Sequence, residues 1–281
     1  MIRRSRGARP IVVVVAALAA SSCGTPLMRL PAGPGSPASD SPEAFAEATR
    51  ACDAVSSMTA DASVSGSAGG RRLRARLSLG VQSPASARLE AIGPFARPLF
   101  VLVARGDAAT LLLNEDNRIL DGARPQAVLE ALTGVPLDAA GLRDALTGCI
   151  SGAAPPRADP GPSGVEGRQV GDDWRVVQNG SQSIYLHRNP RTAPWRLVAV
   201  VHMSSDSPEW RAEYRDFVDG LPRTIRFVSS DPDRFNLRLD LRDVERNPAL
   251  AAEAFEVRIP ALARPITLDE LRRAGPLRPP D

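Results

Sequence analysis

The period of apolar positions changes several times along this chain, and each change marks an element. Ile11 to Ala20 is a continuous apolar run behind Arg3, Arg4, Arg6 and Arg9. It is too short to span ~30 Å of hydrocarbon, which takes ~20 residues, and it reads as the apolar part of an export signal over residues 1–22. Phe45, Ala48, Cys52 and Val55 then recur at spacings of three and four, the stripe of an amphipathic helix. Ser41 stands where an N-cap would, Pro42 fits the first turn and Glu43 complements the helix dipole. After Met58 the period falls to two. Leu73, Ala75, Leu77, Leu79 and Val81 alternate with Arg72, Arg74, Arg76, Ser78 and Gly80, which predicts a strand with one buried and one arginine-lined face.

Further strands follow over Ala87 to Ile92, Leu99 to Ala104, Ala108 to Leu113 and Asn117 to Leu120, at the short spacing of an antiparallel meander. Two helices interrupt it: one from Pro125 to a stop at Gly134, carrying Val128, Leu129 and Leu132, and one from about Asp138 to Thr147. Strands resume after a Pro/Gly stretch at 151–164. Asn179-Gly180 is a strong hairpin signal. Trp195, Leu197, Ala199, Val201 and Met203 alternate, as do Phe235, Leu237, Leu239 and Leu241; Phe255, Val257 and Ile259 predict a last strand, and Thr267 to Arg273 a short terminal helix. The sum is a mainly β chain with helices (α+β) of about eleven antiparallel strands, its inserted helices lidding the concave face of a curved sheet. The domain reading is a signal at 1–22, a lipidated Cys23 with a flexible Pro/Gly/Ser tether over 23–41, a globular domain over 42–260, and a short helix and tail over 261–281.

Composition narrows the chemistry. There are 35 basic and 32 acidic residues, and every basic one is arginine. Without lysine there is no Walker A phosphate clamp and no Schiff base. Two histidines, His187 and His202, cannot make a three-histidine zinc site. No G-x-S-x-G, H-E-x-x-H or C-x-x-C motif occurs, so neither an enzyme nor a resident cofactor or metal is expected. Aromatics are 4% of the chain, too few to interleave the arginines for nucleic-acid binding. Ala20-Ser21-Ser22-Cys23 resembles a bacterial lipobox, which implies cleavage before Cys23, a diacylglycerol thioether on its sulfur and an acyl group such as palmitate on its amine. That leaves Cys52 and Cys149, an even pair in an exported chain, for a disulfide; two buried free thiols are the alternative.

From Ala87 the chain reads ARLEAIGPFARPLFVLVARGDAATLLLNEDNRIL, followed by VLEALTGVPLDAAGLRDALTGC and later by WRAEYRDFVDGLPRTIRFVSSDPDRFNLRLDLRDVERNP. The Gly93-Pro94-Phe95 turn, the Leu132-Thr133-Gly134-Val135-Pro136-Leu137 step and the closing strands, in this order, resemble the LolB-like outer-membrane lipoprotein receptors of the lipoprotein-localisation system. The resemblance runs from about Phe45 to Val244. It implies an incomplete β-barrel whose helix-lidded concave side accepts the acyl chains of lipoproteins from a soluble periplasmic carrier and passes them into the outer membrane. It also implies a monomer anchored on that membrane through Cys23 and facing the periplasm. Its protruding leucine corresponds to Phe95, which with Pro94 would form a membrane-inserting tip. The apolar phases of the strands and facing helices make Leu77, Leu79, Leu89, Leu129, Leu132, Leu142, Val201, Leu237 and Leu239 candidate cavity lining, or equally plain core. A structural, partner-binding envelope lipoprotein with the same fold and a filled interior is the competing reading.

Overall fold

The computed structural model describes residues 26–93, 97–150, 167–205 and 207–274. The signal at 1–22, Cys23, Pro94, Phe95 and the stretch at 151–164 lie outside the described residues. Among those residues the elements run β1 (Ser36–Pro37), α1 (Ser41–Asp53), β2 (Ser57–Ala68), β3 (Arg71–Gln82), β4 (Ser86–Ile92), β5 (Pro98–Arg105), β6 (Ala108–Leu113), β7 (Arg118–Ala123), α2 (Pro125–Thr133) and α3 (Ala139–Thr147). They continue with β8 (Gly167–Val170), β9 (Trp174–Asn179), β10 (Gln182–His187), β11 (Arg196–His202), β12 (Trp210–Arg215), β13 (Thr224–Ser229), β14 (Phe235–Arg246), β15 (Arg264–Pro265) and α4 (Leu268–Ala274).

All fifteen strands belong to one open sheet, ordered β1-β8-β9-β10-β11-β12-β13-β14-β2-β3-β4-β5-β6-β7-β15. Two antiparallel meanders, β2 to β7 and β8 to β14, are joined where β14 pairs with β2; only β15 on β7 is parallel. The expected α+β fold with an unclosed barrel is what forms. There are more strands than eleven because β1 and β15 at the edges and β8 next to one of them are short pieces, and because β2, built of alanine and serine, has little hydropathy contrast.

The topology explains the lid. β7 and β8 are consecutive in the chain yet lie near opposite edges of the sheet, so their connection has to cross a face. The helices α2 and α3 are part of that crossing. Each carries one apolar stripe, Val128, Leu129 and Leu132 on α2 and Leu142, Ala145 and Leu146 on α3, and these join the inward strand positions in one core cluster. Gly134 and Gly148 end the two helices in the left-handed conformation, at φ 78° and 69°. α1 covers the β8–β11 half of the same face, and a disulfide between Cys52 on α1 and Cys149 just beyond α3 ties the two covers together.

Several expectations are corrected. Residues 26–40 are not a free tether: the Met28 amide donates to Glu213 Oε1 at 2.9 Å, Arg215 donates to the Pro26 carbonyl at 2.9 Å, and β1 adds to β8. Polar backbone offered to a sheet edge and to buried charged groups docks even without an apolar pattern. Asp40, not Ser41, occupies the N-cap of α1, and its carboxylate takes a two-bonded ion pair from Arg175 at 2.7 Å instead of capping. That hydrogen-bonded pair holds the Asp40 carboxyl below its ordinary pKa. Phe255 ends a 3-10 turn (Ala252–Phe255) rather than opening a strand; its ring packs on Val101 and Val103 on the outer side of β5. Ile266 and Leu271 join the main core, so the described part of the C-terminal segment belongs to the same domain.

The largest register correction is in β11. Tyr185 pairs with Ala199 but Leu186 pairs with Leu197, so Val198 is an extra residue, a β-bulge. A one-residue slip moves every later side chain to the other face. Leu197 and Val200 therefore lie in the core cluster, while Val201 and Met203 do not.

The join between the meanders depends on Gly66 in β2, at φ +141°, where a Cβ would stand 1.9 Å from the Asn236 carbonyl oxygen of β14. Gly80 in β3 has nothing closer than Thr59 Cγ2 at 3.8 Å. Gly66→Ala should therefore cost at least ~2 kcal/mol, whereas Gly80→Ala should stay within about 1 kcal/mol of the parent. Urea denaturation of both variants checks this; equal stability would remove Gly66 from the role.

Candidate functional site

Strand parity puts Leu77 of β3, Leu89 of β4, and Leu237 and Leu239 of β14 on the inner face, opposite Leu129 of α2 and Leu142 of α3. Between them lies a pocket of about 60 Å³, completed by residues such as Val64, Leu73, Val135 and Phe227. The lining is apolar throughout. Its one hydroxyl, on Thr133, donates to the Leu129 carbonyl and so presents a methyl group. Ala75, Thr133 and Leu137 are only half-buried and mark the mouth.

Six of the nine residues expected to line a cavity thus meet at one place. Leu79 and Leu132 belong to the surrounding core without lining the pocket, and Val201 lies outside that core for the bulge reason given above. Val64, Val135, Leu137 and Phe227 are lining residues that the sequence reading does not name as such. Val64 and Phe227 each lie on the inward phase of a strand, which was the available signal; Val135 and Leu137 lie in the turn between α2 and α3, where no period applies.

A volume near 60 Å³ is about that of two water molecules and cannot hold an extended acyl chain. For a chain to enter, α2 and α3 have to separate from β3, β4 and β14. What opposes this is ordinary apolar burial, ~1.5–3 kcal/mol for each leucine side chain that would become exposed, and an entering chain would replace that burial in kind. The lid is also held from outside the pocket: α2 packs on α4 and its Glu130 pairs with Arg234 at 3.0 Å, and the end of α3 is bonded to α1 through Cys52–Cys149. Gly134, between the two helices, stands 3.0 Å from the Arg234 carbonyl by the position its Cβ would take.

The two histidines lie apart. His187 is half-buried, 3.4 Å from Asp173, with its ring on Trp174. His202 stacks on Trp210 with ring centroids 3.8 Å apart, and Gln182 stands 3.4 Å from its Nδ1. Burial pushes the His202 imidazole down to about 4. Cys52, Asp53 and Cys149 cluster, but the two sulfurs are spent on each other.

No family model matches the chain, and no curated protein matches it in sequence. Among solved structures, a LolA-superfamily protein from Nitrosomonas europaea superposes with a TM-score of 0.51 at 9% identity, over 77% of this chain and 97% of that one. A DUF1329-family protein from Desulfovibrio piger and an outer-membrane lipoprotein-sorting domain from Vibrio parahaemolyticus follow, each at TM-score 0.47, 10% identity and 77% of this chain, covering 97% and 96% of their own. The first likeness shows a shared fold and does not point to a LolB-like receptor in particular.

Two outcomes follow from the geometry. The disulfide closes a separation of 97 residues, for which chain entropy sets an upper bound of ~4.7 kcal/mol. Cys52→Ala with Cys149→Ala should lower the thermal midpoint, and thiol titration of the unreduced, denatured chain should find neither cysteine free. Second, unfolded His202 takes up a proton below about 6.5, whereas the folded residue does so only near 4. Its contribution to stability is complete above pH ~6.5, declines as the pH falls toward 4, and levels below that. His202→Phe should flatten the fall in thermal midpoint over that window.

Proposed function

We propose that this chain is a lipid-anchored, periplasm-facing protein that takes up acyl chains of lipoproteins beneath its helical lid and passes them into the outer membrane. The observation that carries the reading is the wholly apolar pocket under two helices that the topology forces across the concave face. An acyl chain transferred from water is stabilised by ~0.8 kcal/mol per methylene, so a site with no polar demand can hold one firmly and still release it to a bilayer. No covalent step is needed. The LolA-superfamily fold supports a lipid- or lipoprotein-handling role, and the lipobox-like Ala20-Ser21-Ser22-Cys23 supports an envelope location and an anchor at Cys23. On this reading the donor is a soluble periplasmic carrier and the chain acts as a monomer.

Phe95 has a place in this mechanism. The Gly93 amide donates to the Arg97 carbonyl at 2.9 Å, closing the β4–β5 connection around residues 94–96. We assign Phe95, with Pro94, as the group that enters the bilayer during delivery, contributing roughly 1.5–3 kcal/mol by burial.

The second reading, a structural envelope lipoprotein with a filled interior, draws support from the small pocket volume. Native mass spectrometry of residues 24–281 separates the two. Co-purified lipid or lipopeptide, lost at least tenfold in Leu142→Trp, is expected on the first reading. A chain that never carries lipid and ignores that substitution belongs to the second. For the tip, Phe95→Glu should leave thermal stability and acyl binding unchanged while delivery of bound lipoprotein to liposomes falls sharply; unchanged delivery would remove Phe95 from the mechanism.

A further inference from the structure

The outer face of the sheet has a chemistry opposite to the inner one. Its outward positions on β3 are Arg72, Arg74 and Arg76, on β12 Arg211 and Arg215, on β13 Arg226 and on β14 Arg238. The register places them in adjoining rows. One row reads Glu213, Arg226, Arg238, Ser65, Arg74 from β12 to β3; its neighbours read Arg215, Thr224, Asp240, Ser63, Arg76 and Arg211, Val228, Asn236, Ser67, Arg72.

In each row the β2 residue is a serine. Long arginines on both sides of a small-residue strand make walls, and the serines a floor, so a groove of about 430 Å³ opens there, lined by Arg72, Arg215, Arg226 and Arg238 over Ser65 and Ser67. The carboxylates in and beside these three rows are engaged. Glu213 is fully buried between Arg211 and Arg215 at 2.8 and 3.4 Å and accepts the Met28 amide; Asp240 pairs with Arg238; Asp216 and Asp240 both accept from Thr224. Seven arginines against three carboxylates in these rows, with Arg242 opposite Asp61 in the next, leave the face cationic. Arg72, Arg74 and Arg76 are exposed and have no carboxylate partner among the described residues.

The breadth of the patch argues for a surface as its ligand. Five strands at ~4.8 Å spacing spread the charges over about 19 Å, where a single small anion would need them convergent. The path of the chain says which surface. Pro26, the first described residue, is held by Arg215 at the edge of the groove. Cys23 is three residues earlier, so it lies within ~11 Å of that point whatever path those residues take. The β4–β5 connection leaves the sheet at the end where Arg72 and Arg74 stand, since Leu77 pairs with Ala91 and β4 runs on toward that end. The chain that leads back to Cys23 therefore starts on the cationic face, and the β4–β5 connection opens at the end of the sheet that carries Arg72.

We propose that this arginine-walled outer face docks on the phosphate headgroups of an anionic phospholipid bilayer, leaving the acyl pocket on the opposite, aqueous side of the sheet. The proposal rests on the reading of Cys23 as the lipid anchor. Guanidinium groups suit the role, since each offers several donors in a plane that matches phosphate oxygens.

The test uses residues 24–281, which hold the whole sheet and both core clusters and lack the anchor, in co-sedimentation with vesicles of phosphatidylcholine alone or mixed with phosphatidylglycerol. Binding is expected only to the anionic vesicles, weakening steeply from ~50 to ~200 mM salt. At about fivefold per arginine near such a surface, Arg72→Gln/Arg74→Gln/Arg76→Gln should weaken it roughly 100-fold, with the thermal midpoint unchanged and Arg258→Gln as a neutral control. Equal binding to both vesicle types, or a triple variant that binds like the parent, would overturn the proposal. So would retention on heparin without vesicle binding, which would point to an acidic macromolecule, or release by millimolar inorganic phosphate, which would mark a small-anion site. Native mass spectrometry of the triple variant separates the two readings. Lost docking with lipid still in the pocket is the result expected of this face acting alone; docking intact over a pocket that never carries lipid would refute the acyl-binding reading and leave this one standing.

Discussion

The pairing of β14 with β2 is the constraint on which everything else here rests. It joins residues near position 240 to residues near position 63 along almost the whole length of both strands. Once it forms, two separate meanders become one sheet, β7 and β8 are sent to opposite sides, and the segment between them has to cross the concave face. The lid is a consequence of that routing. So is the groove on the other side, because β2 brings its serines between the arginine-bearing strands β14 and β3.

One strand therefore serves two faces with different demands. Inward, Ala60, Ala62 and Val64 join the core and Val64 lines the pocket; outward, Ser63, Ser65 and Ser67 leave room above them. Larger residues on either phase would fill the pocket or the groove. Gly66 extends the same logic to the backbone, allowing β14 an approach that any Cβ would prevent.

On the function and docking proposed above, the apolar pocket and the cationic face divide the physics of handling a lipid. Acyl chains are stabilised by removal from water, an effect with little directionality and weak dependence on salt. Headgroups are met by charge, which acts at longer range and is screened by salt. Placing the two on opposite faces of a single sheet lets each operate without a charge entering the apolar interior, where desolvation would be costly. The N-terminal segment completes the arrangement by bringing the chain from the outer face at β12 to the edge at β8 and on to α1 over the inner face.

Much of this was legible from local pattern. The arginine-faced strand β3, the meander from β4 to β7, the two inserted helices with their glycine stops, and the Cys52–Cys149 pair all carry signals that depend only on near neighbours or on counting. Six of the nine expected lining residues meet in the pocket because strand parity holds wherever the strand is regular. What failed did so where partners are remote in sequence. The bulge at Val198 exists only in the register with β10, so Val201 could not be assigned its face from β11 alone. The docking of residues 26–40 depends on Glu213, Arg215 and β8, all more than a hundred residues away, and Phe255 leaves the strand pattern because Val101 and Val103 offer it an outer apolar surface. β2 lacks a pattern of its own, since alanine and serine differ little in transfer energy; its position was decided by the two strands that pair with it. Periodicity and composition determined the elements and the character of their faces. Which faces meet, and how much space remains between them, was decided by long-range pairing and packing, because those energies belong to pairs of residues and not to any one segment.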